Sequence, residues 1–211
     1  MGSRNIEAAF VGNNLFTFFL GMTAEEKSDV QELVTYADLT SSVKFDRTEL
    51  WSSWMFDYTQ RLVISGFKRT SFITPDSRVL GHADEWTNEL FQIVGTHGSR
   101  NLVNMVKQCF SAASVNRSVK AFFDHSTVAG KGRFLQIVPC EKTPAGDIVI
   151  LLCGINVSFN GDAVHNGGKR VILYVKGGRY VFDRTAYNKR REAVSLYLDN
   201  RMESLLTRVL I

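Results

Sequence analysis

Three features of the sequence predict an α+β fold in which one antiparallel β-sheet is wrapped by layers of α-helices. The first half carries helix start signals followed by apolar residues at helical spacing. Arg133 to Asp183 alternates as strands joined by explicit turns, and Thr185 to Leu210 is amphipathic again. Helices, then a meander, then a helix is the order of a sheet covered by helices rather than of alternating βαβ units.

The chain has 211 residues and 45% hydrophobic content, which suits one substantial core, so a single domain over 1–211 is expected. Its parts are a helix-rich 1–125, a β-meander at 133–183 and a C-terminal helix at 185–210. A net charge of +4 with interspersed charges favours acidic surfaces in general without selecting lipid or nucleic acid.

Ala8 to Met22 is apolar but broken by Gly12-Asn13-Asn14, and it is short of the about 20 residues needed to cross a bilayer. Glu7 stands where a secretory signal carries positive charge. Leu15 to Leu20 therefore reads as a buried strand or short helix, and a soluble protein released without a classical signal is expected.

Thr23-Ala-Glu-Glu26 is a capping box that introduces Val30, Leu33, Val34 and Ala37, predicting a helix from about residue 24 to 40. Asp46-Arg-Thr-Glu49 repeats the signal for a second helix, with Leu50, Trp51, Trp54, Met55, Tyr58 and Leu62 on one face and Gly66 at its end. Phe67 to Leu80 alternates weakly around Thr74-Pro-Asp76 and suggests a short hairpin or irregular extended segment. Trp86, Leu90, Ile93 and Val94 share a helical face, Ser99 caps a helix bearing Leu102, Val103, Val106 and Phe110, and Ser114 restarts a helix toward Phe123.

The strand Arg133 to Cys140 ends at the turn Thr143-Pro-Ala-Gly-Asp147. In the next, Asp147 to Asn160, one face is unbroken: Val149, Leu151, Cys153, Ile155, Val157 and Phe159. The other begins as Ile148, Ile150, Leu152 and turns polar at Gly154, Asn156 and Ser158. That strand is expected to be covered on both sides at one end and on one side at the other. Arg170 to Lys176 and Arg179 to Asp183 flank Gly177-Gly178, which is either a hairpin turn or a bulge.

Candidate chemistry is sparse. Asp124-His125 and His165 near Asp162 are candidate bases with orienting carboxylates, and Cys140 or Cys153 a candidate nucleophile, yet both thiols sit in apolar strands. Cys109, Cys140 and Cys153 fit neither a zinc site nor a redox pair and read as buried thiols. Gly130-Lys-Gly132 and Gly167-Gly-Lys169 read as solvated loops, lacking P-loop spacing. Lys189-Arg-Arg191 reads as a solvated basic face without interleaved aromatic platforms, so nucleic acid is not expected as a partner. No metal or cofactor is implied. A long apolar sheet under detachable amphipathic helices would have membrane-active potential; an ordinary core strand fits the 147–160 pattern equally well.

From about Trp86 to Phe182 the arrangement resembles the Cyt-type δ-endotoxin family, a cytolysin fold shared with fungal volvatoxin and the bacterial virulence factor Evf. The resemblance rests on the helix ending Ile93-Val94-Gly95, the helix Leu102 to Phe110, the aromatic group Ala121-Phe-Phe123 and the strand Phe134-Leu-Gln-Ile137. It rests also on Thr143 to Ile150, similar to the family's polar turn before its long strand, and on Lys169 to Lys176 followed by Arg179-Tyr-Val181.

The resemblance implies a non-enzymatic bacterial toxin or virulence factor, a soluble monomer that binds lipid, moves its helices aside and inserts or exposes sheet strands as a homo-oligomer. The helices at 84–125 would be the movable cover, and Val149, Leu151, Ile155, Val157, Phe159, Val171, Leu173 and Val175 the membrane-facing residues. Evf carries an acyl chain on an interior cysteine, which by resemblance makes Cys109, Cys140 and Cys153 acylation candidates. The family's activation by terminal proteolysis has no evident counterpart here. Two alternatives stay open: a non-lytic accessory protein that keeps the fold and binds a toxin partner, and a small hydrolase using His125 or His165.

Overall fold

The structure is a computed structural model that describes residues 7–19, 21–80, 86–111, 133–160, 170–199 and 201–209. Seven strands form one sheet in the order β3-β6-β5-β4-β2-β1-β7. They are β1 (Glu7–Val11), β2 (Asn14–Phe18), β3 (Phe67–Leu80), β4 (Arg133–Lys142), β5 (Ile148–Asn160), β6 (Arg170–Phe182) and β7 (Leu206–Val209). The described helices are α1 (Ala24–Lys44), α2 (Trp51–Ser65), α3 (Trp86–His97), α4 (Arg100–Ser111), α5 (Arg184–Asn188), α6 (Arg191–Leu198) and α7 (Arg201–Leu205).

The α+β class expected from the sequence holds, but the sheet is mixed rather than wholly antiparallel. β2 pairs parallel with β4, Asn14 opposite Gln136 and Phe18 opposite Cys140. Parallel pairing needs a long connection that returns the chain to the same end of the sheet, and α1, α2, β3, α3 and α4 supply it. The other ladders are antiparallel. The N-terminal part is accordingly less helical than expected, since β1, β2 and β3 all lie within it. Leu15 to Phe18 takes the strand option, and Gly12 at φ 58 closes the β1–β2 reversal.

Phe67 to Leu80 is one 14-residue strand, not a hairpin. Its alternation looks weak because its register against β6 shifts twice, between Arg69 and Ser71 and between Ile73 and Asp76, each time with one extra residue in β3. Such bulges reverse which residues face inward and break the period of two. The second bulge spans Thr74-Pro75, where proline's missing N–H needs no ladder partner. Gly177-Gly178 is neither the hairpin turn nor the bulge. β6 runs straight through, and the glycines let neighbouring backbones approach: a Cβ at Gly177 would overlap the Leu152 carbonyl oxygen, and one at Gly178 that of Ser71.

The capping box at Thr23 forms as expected, with the Glu26 N–H donating to Thr23 Oγ1 at 3.2 Å and the Thr23 N–H to Glu26 Oε2 at 2.8 Å. The signal at Asp46 does not start α2 where expected. The Asp46 carboxylate instead accepts from the Thr48 and Glu49 N–H groups at 2.7 and 3.2 Å, closing a local turn, so α2 begins at Trp51 with Leu50 in the capping position. At the C-terminus the expected long helix is three short ones and a strand. Asp183 caps α5 through the Ala186 N–H at 2.9 Å, and β7 pairs antiparallel with β1. Amphipathic spacing across 185–210 could not reveal these breaks, because β7 is specified by the edge of β1 rather than by its own period.

Helices cover both faces of the sheet. On one, Val30, Leu33, Val34 and Ala37 of α1 and Trp54, Met55, Tyr58 and Leu62 of α2 pack on Val138, Cys140, Ile150, Leu152 and Tyr180. On the other, Leu90 and Val94 of α3 and Leu102, Met105, Val106 and Cys109 of α4 pack on Leu135, Ile137, Leu151, Ile155, Val157, Leu173 and Val175.

Candidate functional site

The face of β4, β5 and β6 beneath α3–α4 is a continuous apolar surface. Alternate residues of a strand point the same way, so Leu151, Cys153, Ile155 and Val157 line one face of β5, beside Leu173 and Val175 of β6. Each is fully buried or nearly so, as is Val149. Phe159 and Val171 stand opposite one another in the ladder at the far end of the same strands. The eight residues singled out from the sequence thus share two neighbouring strands. At 13 residues each, β5 and β6 extend about 43 Å, which exceeds the about 30 Å thickness of a bilayer's hydrocarbon core.

The two helical layers are held differently. On the α1 side, Lys142 Nζ donates to Glu26 at 2.7 Å, Arg191 to Asp29 at 2.7 Å and Asn14 Nδ2 to Asp38 at 2.9 Å. Arg47 also donates to both Asp38 oxygens, and the Tyr187 hydroxyl to Glu32 at 3.0 Å. Burial alone would raise the Glu26 pKa, but the bond from Lys142, the Thr23 backbone N–H and the field of Arg184 together hold it below the usual value. At Asp29 burial wins over Arg191 and Arg184, and the pKa is raised. On the α3–α4 side, Ser99 Oγ donates to the Glu141 carboxylate at 2.9 Å, and Leu90, Val94, Leu102, Met105, Val106 and Cys109 make an apolar contact with the sheet.

All three cysteines are free and buried. Cys109 and Cys153 lie in the cluster under α3–α4 and Cys140 in the opposite one. Burial pushes the thiols of Cys109 and Cys153 up to about 12 and that of Cys140 well above its ordinary value, which keeps them protonated and poorly nucleophilic near neutral pH. Asp124, His125, Asp162, His165 and both glycine-lysine loops lie outside the described residues, as does the helix expected from Ser114 to Phe123. In the basic run, Arg191 is engaged by Glu25 and Asp29, while Lys189 and Arg190 are exposed. Among the described residues no cluster of three His, Cys, Asp or Glu side chains could hold a metal ion. No described helix is long and apolar enough to cross a membrane.

No family model and no curated protein matches this sequence. A solved delta-endotoxin structure is similar in fold outline. The likeness covers 82% of this chain and 81% of that one, with a TM-score of 0.49 and 10% identity.

A second feature escaped sequence reasoning. Where the inner face of β5 turns polar, a cavity of about 500 Å³ opens between the first turn of α2 and strands β3, β5 and β6. Trp51, assigned by its spacing to the apolar helix face, lines this cavity and is only partly buried. The available signal was Asn156, an amide within an otherwise apolar run, but the residues it meets come from three other elements and no local pattern joins them.

Proposed function

We propose that the protein acts at membranes without enzymatic chemistry: the α3–α4 pair lifts from the sheet and presents the apolar face of β4, β5 and β6 to lipid. The observation that carries this reading is the unequal fastening of the two helical layers. α1 is tied to the sheet and C-terminal helices by several charge-assisted bonds, whereas α3–α4 packs on the sheet through a continuous set of apolar side chains beside the Ser99–Glu141 bond. Apolar contact is non-directional and is replaced without loss when the same surface meets hydrocarbon, while half-buried ion pairs have no substitute there. Strand length supports the same reading, since a β-strand needs about 9 to 11 residues to span the hydrocarbon core and β5 and β6 have 13 each. Strands inserted this way must close their edges with copies of themselves, which makes a homo-oligomer on the membrane part of the proposal.

The test is dye release from anionic liposomes by the purified protein, with and without a clamp on the cover. Ser99 and Glu141 already touch across the interface. The double variant Ser99→Cys/Glu141→Cys, bridged by a short reducible thiol crosslinker, should lose release and regain it on reduction, the three native thiols being buried. Liposomes that stay intact with the unclamped protein, across lipid composition and pH, would refute the proposal.

A further inference from the structure

We propose that the cavity at the N-terminus of α2 is a binding site for a phosphate ester. It lies on the sheet face opposite α3–α4 and does not rest on the membrane reading. α2 is 15 residues long and begins without a side-chain cap, and Leu50, Trp51, Ser52 and Ser53 at its start line the cavity, which places the positive end of its dipole there.

The second observation is independent of the helix. Asn156 on β5 is only 7% exposed, lines the cavity, and its amide makes no hydrogen bond within the described structure. A buried polar side chain is normally paired, so an unpaired amide that opens onto a cavity is available to a ligand there. Lys176 on β6 stands beside it with Nζ 3.0 Å from Ser52 Oγ, in a bond that leaves its charge uncompensated by a carboxylate among the described residues. Lys176, Ser52, Ser53 and the Asn156 amide make the lining rich in donors, and a donor-rich lining selects an oxyanion.

The remaining walls select an ester over a bare ion. The rings of Trp51 and Tyr174 stand 6.5 Å apart at 52°, with the Lys176 ammonium 5.1 Å from the indole centroid. They provide an apolar flank beside the donors, and the volume lies within the range of small-molecule sites. Glu49 is exposed and also lines the cavity, and its negative charge disfavours a polyanion there.

A phosphate ester could reach the site as a soluble molecule or as a lipid headgroup, and the experiment separates these. Glycerol 3-phosphate and inorganic phosphate are titrated by calorimetry into the full-length protein. In parallel, sedimentation is measured with phosphatidylcholine vesicles with and without phosphatidic acid. Lys176→Gln and Asn156→Ala are compared with the parent after equal melting temperatures are confirmed. Loss of a charge-assisted bond should weaken binding at least about tenfold in Lys176→Gln, with a smaller loss in Asn156→Ala. Soluble binding with that sensitivity supports a free ester. Sensitivity confined to phosphatidic acid vesicles supports a headgroup. No binding of any probe, or binding equal in parent and both variants as for an adventitious ion, overturns the proposal.

Discussion

If α3–α4 is a detachable layer, weakening it should open the molecule locally, while an equal weakening of the α1–α2 layer should only lower global stability. Leu102 on α4 and Leu33 on α1 form a matched pair, each fully buried in its own core cluster. Truncation of either to alanine removes the same atoms and leaves a cavity, costing about 2–5 kcal/mol. For Leu33→Ala that loss applies to unfolding as a whole, and the equilibrium for lifting α3–α4 stays as it was. For Leu102→Ala the lost contacts are those broken in lifting, so the lifted population rises tenfold for each about 1.4 kcal/mol, or roughly 30-fold to several thousand-fold. Hydrogen exchange read by mass spectrometry gives the direct measurement. In Leu102→Ala, amides of α3 and α4 should exchange faster by that factor while those of α1 hold, and dye release should accelerate in step. Should Leu33→Ala and Leu102→Ala speed exchange in the same segments by the same factor, α3–α4 would belong to one cooperative unit with the rest and the detachable-layer argument fails. Val34→Ala and Val106→Ala provide a gentler pair with the same logic if either leucine variant does not fold.

Two further predictions concern the frame that holds this layer. Gly177→Ala and Gly178→Ala should prevent folding, since each Cβ would overlap a backbone carbonyl, whereas Gly154→Ala meets the flexible end of Met55 at 2.9 Å and the Lys176 carbonyl oxygen at 3.3 Å and should lower the melting temperature without preventing folding. For pH, Glu26 and Asp57 have lowered pKa values, so the unfolded chain binds more protons and stability falls as pH drops through and below about 4.5. Asp29, raised by burial, contributes with the opposite sign above its ordinary 3.8. Chemical denaturation between neutral pH and pH 3 should show a flatter acid limb for Glu26→Gln and a steeper one for Asp29→Asn, and the reverse ordering would contradict the assigned partners.

The sequence by itself determined those elements whose signals are local. The α1 start was legible because a capping box needs only Thr23 and Glu26, and β5 because one face stays apolar over its whole length. Burial of the three cysteines followed from their apolar neighbours. Tertiary structure decided what depends on a distant partner. β3 acquires its length and bulges from β6, β7 is a strand because β1 offers an open edge, and the parallel seam of β2 with β4 exists only once α1 to α4 have carried the chain back. The contrast between a riveted and an apolar layer arises from pairs far apart in sequence, such as Glu26 with Lys142 and Asp29 with Arg191. The same holds for the α2 cavity, whose donors arrive from separate elements. Periodicity reports which face of a segment is buried, but which segment covers that face, and by what bonds, is set by contacts no local pattern encodes.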